Sequence, residues 1–307
     1  MSLVPDRILD LSEHSAQLQI RGGLLVIETG DQHTSVPPKD LAAVIISHPG
    51  TTISGSALAA LGSAGCVVLA ADRNRLPALV GLGVVGHSTQ TERIRAQVEA
   101  RKPLVKRAWQ QIVRLKIQRQ GVCLETVTGK RNGLATLADR VRSGDPTNVE
   151  SQAARRYWLA LMGPGYTRGK EWDGFNATLD YGYAIVRAFV ARAVVAAGLH
   201  PSVGLHHHNR YNPFSLVDDL FEPFRPEVDL IVHRLWCEGG RRLELGPETK
   251  RRLVGELTKR RLLEGERRRL GDCCQSVAVS LCRCLEQARR DLAYPDMLLC
   301  DPGASAC

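Results

Sequence analysis

The chain is expected to fold as α+β, with a small β-rich N-terminal domain over residues 1–88 and a larger, all-α C-terminal domain over residues 89–307. Three observations predict this. Short apolar runs punctuated by glycine fill the first part of the chain. From Gln90 the pattern changes to long stretches with apolar residues at helical spacing. The charge changes at the same place: residues 1–88 hold 5 Lys/Arg and 7 Asp/Glu, a balance of −2, whereas residues 89–307 hold 36 and 25, a balance of +11. A length of 307 residues suffices for two domains with a sizeable core.

The elements follow in order. Ala16 to Ile20 and Leu24 to Glu28, joined by Gly22-Gly23, read as a hairpin. Gly30-Asp31 then turns the chain into His33 to Val36. Leu41 to Ile46 and Cys66 to Ala71 are strand-like, with a short helix from Ser54 to Gly62 between them. Leu79 opens another strand after the turn Asp72-Arg73-Asn74-Arg75, and Gly81, Gly83 and Gly86 mark a linker. In Thr91 to Arg119 the apolar positions Ile94, Val98, Leu104, Val105, Trp109, Ile112, Val113 and Leu115 predict helix, which Pro103 divides or kinks. Further helices are expected at Leu134 to Arg142, Val149 to Met162, Thr178 to Ala197, Phe214 to Phe221, Pro247 to Leu263 and Asp272 to Leu292.

Composition excludes several classes. No run of about 18 apolar residues occurs, and MSLVPDRILDLSEHS lacks a basic region followed by an apolar one, so a cytoplasmic protein without a membrane role is expected. The nine cysteines are an odd number in a large chain, which favours reduced thiols over a disulfide framework. Cys273, Cys274, Cys282 and Cys284 lack C-x2-C spacing and are expected as small buried hydrophobes. Gly163 to Lys170 has the wrong glycine spacing for a phosphate loop, and no G-x-S-x-G elbow exists.

Chemistry concentrates between residues 200 and 230. His206, His207 and His208 precede Asp218, Asp219, Glu222, Glu227 and Asp229 by a short loop. Asp219 and Glu222 stand three apart in a helical segment, on one face. One imidazole with several carboxylates suits a divalent ion that acts on phosphate. The alternative is a set of satisfied polar histidines and acids that cap a helix N-terminus. Glu150, upstream, fits a capping box with Thr147 and so reads first as a helix-start residue. The basic C-terminal part, and in particular Lys250, Arg251, Arg252, Lys259, Arg260 and Arg261, is a candidate polyanion-binding surface, or else a solvated face.

The segments NVESQAARRYW and GLHHHNRYNPFSLVDDLFEPFRP, with the β-then-α layout, resemble the CRISPR-associated endonuclease and integrase family called Cas-one, and DDLFEPFRP resembles its type II form. The resemblance implies insertion of foreign DNA spacers into a CRISPR array by attack of a 3′-hydroxyl on a repeat phosphodiester. It implies a Mg2+ or Mn2+ site made of Glu150, His207 (counted from Gly204-Leu205) and Glu222, with Asp219 in support, and so sets the capping-only role of Glu150 aside. It also implies double-stranded and branched DNA as substrates, a homodimer formed through the N-terminal domain, a smaller partner called Cas-two, and room for other components of a type II system. Two other readings remain: a non-catalytic basic nucleic-acid-binding protein with a structural His/acid cluster, and a zinc hydrolase.

Overall fold

The computed structural model describes residues 7–71, 77–84, 87–169, 174–286 and 291–297. The turn Asp72 to Arg75, Gly86, Lys170 and positions 287–290 of the expected last helix lie outside them. In chain order the first part contains β1 (Arg7–Leu11), β2 (Gln17–Arg21), β3 (Leu24–Thr29), β4 (Gln32–Val36), β5 (Leu41–Ile46), β6 (Thr52–Ile53), α1 (Gly55–Ser63), β7 (Val67–Ala71) and β8 (Pro77–Gly81). These strands make two four-stranded sheets, in the orders β1-β5-β7-β8 and β4-β3-β2-β6. The first is parallel except for β8, and the second is an antiparallel meander with β6 added in parallel. Gly22 and Gly23 close the β2–β3 hairpin at φ 57° and 78°, the left-handed conformations a tight two-residue turn needs.

Alternation along β5 and β7 ties this part to the rest. Val44 and Val68 pack with Leu18, Leu25, Ile27 and Leu61 in a small core between the sheets. Their neighbours Ala43, Ile45, Val67 and Leu69 face the other way and join the large core of the helical part. The first sheet is therefore covered on both faces, as suits its parallel strands. β1 was not expected from the sequence; it pairs in parallel with β5, a partner thirty-odd residues away, and no local turn signals it.

The helical part comprises α2 (Gln90–Val98), α3 (Lys102–Thr128), α4 (Leu134–Asp139), α5 (Val149–Met162), α6 (Phe175–Ala196), α7 (Ser215–Phe221), α8 (Arg225–Glu238), α9 (Pro247–Leu257), a hairpin of β9 (Arg261–Leu263) and β10 (Glu266–Arg268), and α10 (Leu270–Leu285). Pro103 divides the expected long helix in two, because in the first turn of α3 its missing N–H costs nothing. α3 then runs for about 40 Å and packs on α4, α5 and α8.

Two expectations are corrected. The C-terminal part is not wholly α: the run expected as helix to Leu263 stops at Leu257, and Arg261 turns inward as a buried partner of Glu227 at the start of a hairpin. α8 was not among the expected helices; Pro226 occupies its first turn, where proline is tolerated. Cys273, Cys274, Cys282 and Cys284 are buried in α10, and burial pushes the Cys273 thiol up to about 11. No described helix is long and apolar enough to cross a membrane.

Candidate active site

Glu150 lies in the first turn of α5, and the preceding loop relieves it of capping. Asp145 accepts the N–H of Val149 at 2.9 Å on one oxygen and that of Glu150 at 3.0 Å on the other. Asn148 accepts the N–H of Ser151 at 3.2 Å. The first amides of the helix are thus satisfied, and the capping box expected from Thr147 does not form. The Glu150 carboxylate reaches across to α3 instead, where Lys116 Nζ stands 2.6 Å away.

Glu222 begins a 3-10 turn, Glu222–Phe224, wedged between α7 and α8. This turn is held from behind. Arg119 donates to the Pro223 carbonyl at 2.7 Å, and the Tyr294 hydroxyl donates to the Leu220 carbonyl at 3.0 Å. In front, Glu222 meets Lys116 Nζ at 2.5 Å and accepts from Arg225 Nε at 2.9 Å. Burial opposes the charge on Glu222, but Arg225 and Lys116 outweigh it and hold its carboxyl down to about 2. Burial likewise opposes the charge on Lys116, and Glu222 and Glu150 more than restore it.

Arg225 is itself fixed. Its guanidinium lies 4.8 Å from the Tyr183 ring centre and 4.7 Å from that of Phe221, two cation–π contacts with rings that adjoin edge to face. The hydroxyl of Tyr183 donates to buried Asp229, which also accepts from Tyr157 at 2.9 Å. Burial pushes the Asp229 carboxyl up to about 6, against the pull of the two phenols and of Arg225.

The histidine loop is organised by Asp219, which is fully buried. One oxygen accepts the N–H groups of Leu205 at 2.6 Å and His206 at 3.0 Å, and the other faces His207 Nδ1 at 2.5 Å. A carboxylate in that position requires the Nδ1–H form, which leaves the Nε2 lone pair for another partner. The hydrogen bond to Asp219 raises the His207 pKa; burial opposes it, and the charges of Asp219, Glu222 and Glu150 add to it. The loop can close this tightly because residue 204 is glycine, where a Cβ would stand 2.4 Å from the His207 carbonyl oxygen. His206 turns away and stacks on Trp109, with ring centres 4.3 Å apart and planes 1° from parallel, while His208 is exposed.

The predicted residues thus come together in part. Glu150 and Glu222 meet on one ammonium, and His207 lines the same cleft as Glu222. That cleft, of about 500 Å³, is walled by Arg168, Tyr183, Arg187 and Arg225 and closed by Leu69 and Val80 of the first sheet. The other acids of the sequence cluster go elsewhere: Asp218 to Arg187, Glu227 to Arg261, and Asp229 to the tyrosines. Sequence reasoning missed Lys116 and Arg225. The signal for Lys116 was a lysine on the apolar face of a helix, one turn from Ile112 and Val113; for Arg225 it was the i, i+3 spacing from Glu222. The basic run is also corrected. Lys250 is buried and donates to Ser12, Arg261 is buried on Glu227, and Arg251, Arg252 and Lys259 pair with Glu248, Glu238 and Glu256.

Among the described residues no three His, Cys, Asp or Glu side chains are already arranged to hold a metal ion. The donor set nevertheless suits one. Two carboxylates close enough to share a cation, beside an imidazole whose Nδ1 is engaged by a carboxylate, are the chemistry that Mg2+ or Mn2+ prefers.

Comparison with known proteins adds the following. Residues 9–242 match the family model described as CRISPR associated protein Cas1. A relative named CRISPR-associated endonuclease Cas1, from Neisseria meningitidis serogroup C (strain 8013), is 41% identical over 241 residues, which is 77% of this chain and 78% of the relative. Among solved structures, a casposase bound to an integration product superposes with a TM-score of 0.78 at 22% identity, covering 94% of this chain and 92% of that one. A Cas6-RT-Cas1–Cas2 complex chain superposes with a TM-score of 0.75 at 18% identity, covering 96% of this chain and 36% of that one. At these identities the structural likenesses establish the fold.

Proposed function

This chain belongs to the Cas1 family of CRISPR-associated proteins, and on that premise we propose that it is a metal-dependent DNA endonuclease and integrase that inserts spacers into a CRISPR array. The observation that carries this reading is the meeting of Glu150 and Glu222, from α5 and from the α7–α8 junction, on one cation beside a cleft that His207 also lines. Glu150, Glu222 and His207, through Nε2, would hold Mg2+ or Mn2+. When bound, such an ion polarises the phosphoryl oxygen and offsets charge on the entering and leaving oxygens.

The remaining work falls to the protein. In spacer insertion the 3′-hydroxyl oxygen of the incoming strand bonds to the phosphorus of a repeat phosphodiester, and the bond to the departing 3′-oxygen breaks; one phosphodiester replaces another. Asp219 keeps His207 in one tautomer and one orientation. Arg225, Arg187 and Arg168 line the cleft, paired with Glu222, Asp218 and Asp180, and their remaining N–H groups are the proposed donors to the DNA backbone. Residues 1–88 serve as the dimerisation domain and residues 89–307 as the catalytic and DNA-binding domain. Cas2, present in the complex that the chain resembles, is the proposed partner, and the type II likeness of DDLFEPFRP leaves room for further components of such a system.

One observation favours a second reading, a non-catalytic DNA-binding protein: the two acids are already neutralised by Lys116 and Arg225. A strand-transfer assay on branched DNA with Mn2+ or Mg2+ separates the two. Glu150→Ala, His207→Ala and Glu222→Ala should each reduce transfer by at least about a hundredfold in folded protein. Absence of transfer by the wild type would favour the binding reading, and transfer that survives the substitutions would overturn the site.

A further inference from the structure

Resting on the reading of Glu150, Glu222 and His207 as ligands, we propose that Lys116 is an internal competitor of the divalent ion: its ammonium holds the two carboxylates together in the metal-free protein and swings aside when the ion enters. Lys116 projects from a buried face of α3, with 11% of its side chain exposed, and lies 2.6 Å from Glu150 and 2.5 Å from Glu222. Two carboxylates this close repel each other. The ammonium removes that conflict and pre-forms the pair.

The charge balance says why it must then leave. Glu150 and Glu222 supply two negative charges, and Lys116 and Arg225 supply two positive ones. Even with buried Asp219 counted behind His207, a divalent ion added to the set would leave excess positive charge in a poorly solvated site. One of the resident cations has to give way. Arg225 is held by cation–π contacts with the adjoining rings of Tyr183 and Phe221 and by its bond to Glu222, and Tyr183 is anchored on Asp229. Lys116 has a flexible four-carbon stem, and among the described residues its polar contacts are the two carboxylates alone. Lys116 is therefore the one that moves, and it acts as a positioning residue that weakens metal affinity while keeping the ligands in register.

The test measures Mn2+ binding to the full-length protein by the loss of the free-ion electron paramagnetic resonance signal, with thermal unfolding in EDTA and in Mn2+ alongside. Lys116→Met and Lys116→Gln, which remove the charge, should bind Mn2+ more tightly by on the order of tenfold. Both should melt lower than wild type in EDTA and gain more from Mn2+. Lys116→Arg should restore stability in EDTA and bind no tighter than wild type. Unchanged or weaker Mn2+ binding in both neutral variants would overturn the inference while leaving the metal site intact. Wild-type Mn2+ uptake that Glu222→Gln does not reduce would instead overturn the site itself, and the inference with it.

Discussion

His207 Nδ1 stands 2.5 Å from one oxygen of Asp219, whose other oxygen takes the backbone N–H groups of Leu205 and His206. A single buried carboxylate thus sets both the path of the histidine loop and the tautomer of its central imidazole. An amide in its place has one accepting oxygen and cannot serve both. Asp219→Asn is expected to lower stability by about 1–3 kcal/mol and to cut strand transfer by about 10- to 100-fold. Thermal unfolding and the transfer assay check this, and a variant that is stable and fully active would contradict it.

Gly204→Ala tests the same loop by a different route. The added Cβ would meet the His207 carbonyl oxygen at 2.4 Å and Asp219 Oδ2 at 3.0 Å, and both are fixed atoms. The expected cost is about 1–3 kcal/mol in urea unfolding, with strand transfer falling by more than DNA affinity. Equal losses in transfer and affinity would mean that the loop serves DNA binding and not the orientation of His207.

Asp229 gives the protein a pH-dependent contribution to stability whose sign is unusual for a carboxylate. Folding raises its pKa to about 6, so above the ordinary Asp range and below 6 the folded protein holds a proton that the unfolded chain has lost. This contribution is most favourable at low pH and declines as pH rises through 6. Asp229→Asn has no such titration. From pH 5 to pH 7 the wild type should lose about 1 kcal/mol relative to the variant in urea unfolding. No change in the difference, or a change of opposite sign, would contradict the raised pKa.

The basic run at 250 to 261 is a poor candidate for DNA contact, since two of its members are buried and three others are paired. Arg101, Lys102, Lys106 and Arg107 are exposed around the start of α3, which carries Trp109 and the histidine stack. Neutralising these four should reduce the salt dependence of DNA binding by about one unit of slope per lost phosphate contact. Lys250→Ala should instead lower thermal stability, because it unties α9 from Ser12. An unchanged slope in the first variant would exclude this surface.

What the sequence made legible was local. The β2–β3 hairpin followed from Gly22-Gly23, the division before α3 from Pro103, and the large helices from apolar spacing. β1 and the β9–β10 hairpin were not legible, because one depends on a distant parallel partner and the other on the buried pair of Arg261 and Glu227. The candidate site divides in the same way. A His-and-acid run could be seen at residues 206 to 229, but which acids face His207 depends on how α6 and α3 each pack against α7. Lys116 was illegible as a site residue because its two partners come from α5 and the α7–α8 junction, and only packing brings them together.

Whether Glu150, Glu222 and His207 form one metal site is decided by a crystal structure of the protein soaked with Mn2+. The expected result is an anomalous peak within about 2.0–2.6 Å of an oxygen of each glutamate and of His207 Nε2, with the Lys116 ammonium withdrawn from the carboxylates. A peak held by His206 or His208, or an ion absent while Lys116 still bridges the two acids at saturating Mn2+, would contradict it.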